Sequence, residues 1–236
     1  MSPGSLLKQN ARQLMFENAP KLFYNSGLFV ILVTVLSVLI FRLPGTIDIA
    51  NMNERLAAGE IPSLGLLYTT FRPAGAILAF IIFLVRHILN IGFVGYCMKI
   101  KRKQKTEYKD IFGGFLIFSK ILQIFLISTI FVFLWSLLFI IPGIVASYRY
   151  RLAYYILLDD PGKGALQCLN ESAVLMNGSK VDLLIIDISF IGWHILNFAL
   201  IILFPIPITI IYIWLSPYIG ISIAGFYEQR LSIIAA

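Results

Sequence analysis

Residues 115–141 read FLIFSKILQIFLISTIFVFLWSLLFII. A run this long and this apolar predicts a helix that crosses a bilayer with tilt, because acyl chains solvate side chains that water would reject. Ile141-Pro142-Gly143-Ile144 then breaks the helix, since proline removes a backbone donor and glycine permits a sharp turn. The segment beyond it, 144–158, gives only about 22 Å of helix at the usual rise, short of a ~30 Å hydrocarbon core. It is read as a crossing; if it re-enters instead, the C-terminus moves to the other side.

Working outward, apolar runs recur at 27–43, at 74–98 (interrupted by Arg86, His87 and Asn90), at 183–204 and at 207–227. The last two are joined by a tight Phe204–Pro207 turn. Two stretches carry apolar residues at helical spacing with polar ones between them. Residues 5–22 place Leu6, Leu7, Ala11, Leu14 and Met15 around Lys8 and Arg12. Residues 163–178 place Leu166, Leu169, Ala173 and Met176 opposite Lys163, Gln167, Glu171 and Ser172. Both predict amphipathic helices on the membrane surface. The expected fold is therefore all-α: one integral membrane domain over 1–236, a transmembrane bundle of about six segments in three hairpins, plus two cytoplasmic surface helices.

Composition agrees. Hydrophobic residues make up 59% of the 236 and charged ones 13%, against about 25% charged in a soluble domain. The net charge of +7 is unevenly placed, for Lys99, Lys101, Arg102, Lys103, Lys105 and Lys109 account for six of 19 basic residues. Such a cluster directly after an apolar run fixes orientation and touches anionic headgroups. No recognition helix or aromatic-rich sheet surrounds it, so nucleic acid is not the expected partner. With Lys8, Arg12 and Lys21 before the first run, positive-inside logic puts both termini and the basic loop in the cytoplasm. Cys97 and Cys168 have no C-x-x-C spacing and read as packed free thiols. The mixed polar and apolar start, with no cleavage pattern after the first run, does not read as a signal peptide.

Several stretches together resemble one family. They are Trp135-Ser-Leu-Leu-Phe-Ile-Ile-Pro-Gly-Ile, then Ala153-Tyr-Tyr-Ile-Leu-Leu-Asp-Asp-Pro with Gly164-Ala165, then Ser172 and Leu175-Met176-Asn-Gly-Ser-Lys180. Ser189-Phe-Ile-Gly-Trp193, Pro217-Tyr218 and Phe226-Tyr227-Glu228 follow. In this order they are similar to the bacterial integral membrane family catalogued as domain of unknown function 975. The basic loop running into Asp110-Ile-Phe-Gly-Gly-Phe115 and the opening helix fit as well. Phe204–Pro207 departs from the Gly-rich turn expected there, which affects only the turn. The resemblance implies a multi-pass protein, distantly similar to the membrane domain of some glycerophosphodiesterases. It implies no activity, so no catalytic residue is carried over.

Charges inside spans are the candidate ligand contacts, since each costs ~2.5–3.5 kcal/mol in hydrocarbon even on insertion scales. Arg86 lies near the middle of the second span, and Asp187, Phe190 and His194 share one face of the fifth. An Arg86–Asp187 pair would have to bridge about 10 Å in depth; bonds from Arg86 to Asn90, His194 or a freed carbonyl are the alternative. Tyr148-Arg149-Tyr150-Arg151 in the fourth segment is too polar for lipid if that segment crosses. Arg86, Arg149 and Arg151 would then outnumber Asp187, and a cationic recess of this kind suits a phosphate or carboxylate headgroup. Alternatively, these tyrosines and arginines anchor at an interface.

Enzyme signatures are missing. His87 and His194 stand alone on different spans, outside any H-E-x-x-H pattern, and no G-x-S-x-G elbow or phosphate-binding glycine loop occurs. Asp159-Asp160 before Pro161 reads as a helix-ending turn. No metal or cofactor is expected. The expected function is non-enzymatic binding of a lipid or protein partner, with helices 5–22 and 163–178 as contact surfaces. The alternative is transport of an anionic amphiphile by the arginines. Oligomeric state is not legible in the sequence.

Overall fold

A computed structural model describes residues 3–42, 54, 57–59, 73–203 and 210–235. The described residues contain helices and no strand. In chain order these are α1 (Pro3–Glu17), α2 (Lys21–Arg42), α3 (Pro73–Lys101), a 3-10 helix (Tyr108–Ile117), α4 (Phe118–Leu138), α5 (Ile140–Tyr150), α6 (Ala153–Asp159), α7 (Ala165–Leu175), α8 (Lys180–Leu203) and α9 (Ile210–Ala235). The loop carrying Asp48, Arg55, Glu60 and Arg72 and the Phe204–Pro207 turn lie outside the described residues.

Among the described residues, four stretches are long and apolar enough to cross a membrane: Lys21–Ile40, Gly75–Lys101, Tyr108–Leu138 and Lys180–Leu200. At most 22% of each apolar window is buried by the chain itself. The remaining leucines, isoleucines and phenylalanines need acyl chains against them, because an exposed apolar surface of that extent is unstable in water.

The chain divides into two compact units, where the sequence reads as a single domain. The smaller, Ile31–His87, contains the later part of α2 and the earlier part of α3. There Arg86 donates to Ser37 Oγ at 3.1 Å, and Ser37 donates to the Val33 carbonyl at 2.7 Å.

The larger unit runs up to Val30 and from Ile88 onward. Its α3 is held to the 3-10 helix by backbone contact. A Cβ on Gly92 would stand 1.9 Å from the Ile111 carbonyl oxygen, and one on Gly114 2.5 Å from that of Ile88. Asn25 on α2 donates to Tyr96 on α3 at 3.1 Å, beside the stacked rings of Phe29 and Phe93. Helix α1 buries Leu7, Ala11, Leu14 and Met15 at three- and four-residue spacing against α8 and α9. Lys8 Nζ lies 4.6 Å from the Phe190 ring centroid, and Arg12 sits over Tyr218. The expected 5–22 helix ends at Glu17, and its apolar stripe is covered except at Leu6.

The run at 115–141 also differs from expectation. Its first turns are 3-10, and the helix ends at Leu138 because Phe139 is extended (φ −161°, ψ 154°). Pro142 falls in the first turn of α5, where its missing N–H costs no helical bond. The expected fourth segment, 144–158, is not one helix. It is interrupted at Arg151–Leu152, between α5 and α6. Ser172, fully buried on α7, closes the gap: its Oγ accepts from the Leu152 N–H at 3.2 Å and donates to the Arg149 carbonyl at 2.9 Å. One hydroxyl thus satisfies two backbone groups that the interruption frees.

Candidate functional site

Arg149 on α5 and Arg151 just beyond its end meet different surroundings. Arg151 meets Asp187 on α8, with Nη1 2.9 Å from Oδ2 and Nη2 3.2 Å from Oδ1. Tyr148 donates to the same carboxylate at 2.9 Å. Asp187 is thereby satisfied from the end of α5, not by Arg86, which bonds Ser37. His194, two turns along α8, pairs its Nδ1 with the Tyr212 hydroxyl at 2.9 Å. The shared face of Asp187 and His194 does not make them one site.

Arg149 lines a recess of about 630 Å³. One wall is a single face of α5, with Pro142, Val145, Ala146 and Arg149 at i, i+3, i+4 and i+7. The facing wall starts on α7 with the same spacing, Asn170, Ala173, Val174 and Asn177, and Lys180 opens α8 beside it. Trp135 on α4 completes the apolar part. Along α5 the lining therefore changes from hydrocarbon to guanidinium over about 10 Å. Trp135, Val145 and Val174 keep 46%, 47% and 62% of their surfaces open, so apolar material has access from outside.

The electrostatics of the recess are one-sided. Among the described residues neither Arg149 nor Lys180 has an ion-pair partner. Asp187 is engaged by Arg151, and Glu171 by Lys163 at 2.7 Å. Asp182 lines a different cavity, with Gly4 and Leu7. Two cations, two side-chain amides and an apolar end form a lining matched to an anionic amphiphile.

The basic cluster behaves differently. Arg102 spreads its guanidinium over Asp159 (2.5 and 2.9 Å) at the end of α6 and Glu228 (2.6 Å) on α9. Tyr227 donates to Asp159 as well, at 2.7 Å. Bonds to Asp159 and then Glu228 raise the Arg102 pKa, against the opposing effect of burial. Lys99 pairs with Asp110 at 2.6 Å and Lys103 with Glu17 at 3.4 Å. Lys101, Lys105 and Lys109 have no ion pair among the described residues, so half of the cluster is spent on the chain's own acids.

Sequence reasoning named Arg149 but missed Lys180, Asn170, Asn177 and Ser172 as its neighbours. The Asn170–Asn177 stripe was readable at helical spacing, but it runs beside the charged Lys163–Gln167–Glu171 stripe that dominates that segment. Among the described residues no group of three or more His, Cys, Asp or Glu is placed to hold a metal.

Comparison with known proteins adds little chemistry. Over 134 residues, half of the chain, it is 27% identical to NADH-ubiquinone oxidoreductase chain 5 of Locusta migratoria, covering 22% of that protein's length. No solved structure matches. A family model does match, from Leu137 to Ser232, and it takes in α5 to α8 and most of α9 but not α1 to α3 or the basic segment. Residues 137–232 thus match the model of a family described as protein of unknown function (DUF975).

Proposed function

We propose that this protein is a non-enzymatic membrane protein that holds an anionic amphiphile, its headgroup between Arg149 and Lys180 and its chain along Val145 and Trp135. The observation that carries this reading is the pair of cations without a carboxylate partner at one end of an otherwise apolar recess. A lipid partner is favoured over a protein one, because most of the apolar stripe of α1, and Cys168, Leu169, Leu175 and Met176 of the 163–178 segment, pack inside the chain. Transport would draw on Arg86, Arg149 and Arg151 together. With Arg151 on Asp187 and Arg86 on Ser37, only Arg149 remains available to a headgroup.

The same reading places six crossings in the cytoplasmic membrane with both termini inside. Arg102 ties the ends of α3, α6 and α9 together, and Lys103–Glu17 adds the end of α1. Those are the ends of the second, fourth and sixth segments, which lie on one side only if the chain forms three hairpins. The Lys-rich segment makes that side cytoplasmic.

Native mass spectrometry of the protein extracted in mild detergent tests the reading. An anionic lipid should co-purify with the wild type and be depleted in Arg149→Gln and in Lys180→Gln. Equal retention of anionic lipid by all three proteins would overturn it.

A further inference from the structure

The recess carries a charge count that narrows the ligand, given the amphiphile-holding reading above. Arg149 and Lys180 together bring two positive charges to a partly apolar cavity. A phosphodiester headgroup brings one negative charge and two unesterified oxygens, leaving one of the two cations without an anionic partner. A terminal phosphate monoester brings about −1.5 to −2 near neutral pH and three acceptor oxygens. The donors are suited to that number: a guanidinium fork, an ammonium, and the amides of Asn170 and Asn177. Arg149, Asn170 and Asn177 are exposed and Lys180 is half-buried, so the preference rests on how many charge-assisted hydrogen bonds the headgroup can accept.

We infer that the recess selects lipids ending in a phosphate monoester over lipids whose phosphate is a diester. The two walls fit such a ligand end to end. Its phosphate sits between the end of α5 and the start of α8, and its acyl chains run past Val145 and Trp135, both half open to the surroundings.

The test is competitive binding of the full-length protein in nanodiscs of zwitterionic phosphatidylcholine. Phosphatidic acid serves as monoester, phosphatidylglycerol as diester and inorganic phosphate as the soluble anion. Phosphatidic acid should bind about tenfold or more tightly than phosphatidylglycerol, the equivalent of one charge-assisted hydrogen bond. That preference should vanish in Lys180→Gln, which leaves Arg149 to hold a single charge. Arg149→Gln should weaken both lipids, and if that variant does not fold, Lys180→Gln alone decides.

Equal affinity for the two lipids would overturn the monoester inference while leaving the amphiphile reading intact. Binding of neither lipid would overturn both. Inorganic phosphate displacing phosphatidic acid at comparable concentration would overturn the lipid source and assign the site to a soluble phosphate.

Discussion

Arg102, after the end of α3, and Arg149, near the end of α5, are each half surrounded by protein, yet the chain treats them in opposite ways. Arg102 meets two carboxylates and a tyrosine-bonded network that ties three helices. Arg149 lies over the Tyr150 ring and shares a recess with Lys180, two amides and hydrocarbon. A cation whose charge is returned by the fold contributes to structure. A cation without a carboxylate partner, as at Arg149, leaves its charge to be answered by solvent or by another molecule. Both regions line recesses, of about 520 and 630 Å³, and they differ in whether the chain's own carboxylates answer the cation.

The largest effect expected from perturbing this contrast is at Gly92. A Cβ there runs into the Ile111 carbonyl, which is backbone and cannot rotate away. Gly92→Ala should cost about 3 kcal/mol, read as a lowered unfolding temperature in detergent. Gly113→Ala, which meets open space, should cost little. Arg102→Ala comes next, at about 2 kcal/mol once partial exposure is allowed for. Arg102→Lys should restore less than half of that, since an ammonium cannot fork across Asp159 and Glu228. Lipid retention in the recess should be unchanged in both.

The sharpest comparison is between Arg149 and Arg151. Arg151→Gln removes the partner of Asp187 and should lower stability by about 1 kcal/mol while lipid is retained. Arg149→Gln should shift stability by less than about 0.5 kcal/mol and lose the lipid. Reversed phenotypes would dissolve the distinction between matched and unmatched cations. Smallest of all is Lys163→Gln, which breaks the Lys163–Glu171 pair and should change stability by less than about 0.5 kcal/mol. The Glu171 bond raises the Lys163 pKa. Whatever that pair contributes is therefore complete at neutral pH and fades only in alkali, as pH rises through the raised value.

Much of this was legible from residue order. The apolar runs gave helices, the Pro142-Gly143 pair placed a break within a few residues of where Phe139 makes it, and Arg149 and Arg151 stood out as misfits in hydrocarbon. Less legible was the division of the fourth segment. Helical propensity runs on through Arg151 and Leu152, and the interruption is stabilised by Ser172, twenty residues away. The basic cluster showed its charge in the sequence but not its acids, which come from α1, the 3-10 helix, α6 and α9.

Hydropathy adds up locally along the chain and repeats with the helical period, so the amino-acid order alone determined the apolar helices and the cationic segment after α3. Charge matching depends on distances between side chains far apart in sequence. Only the packing of α3, α5, α6, α8 and α9 decided that Asp187 answers Arg151, that Asp159 and Glu228 answer Arg102, and that Arg149 with Lys180 faces an open recess.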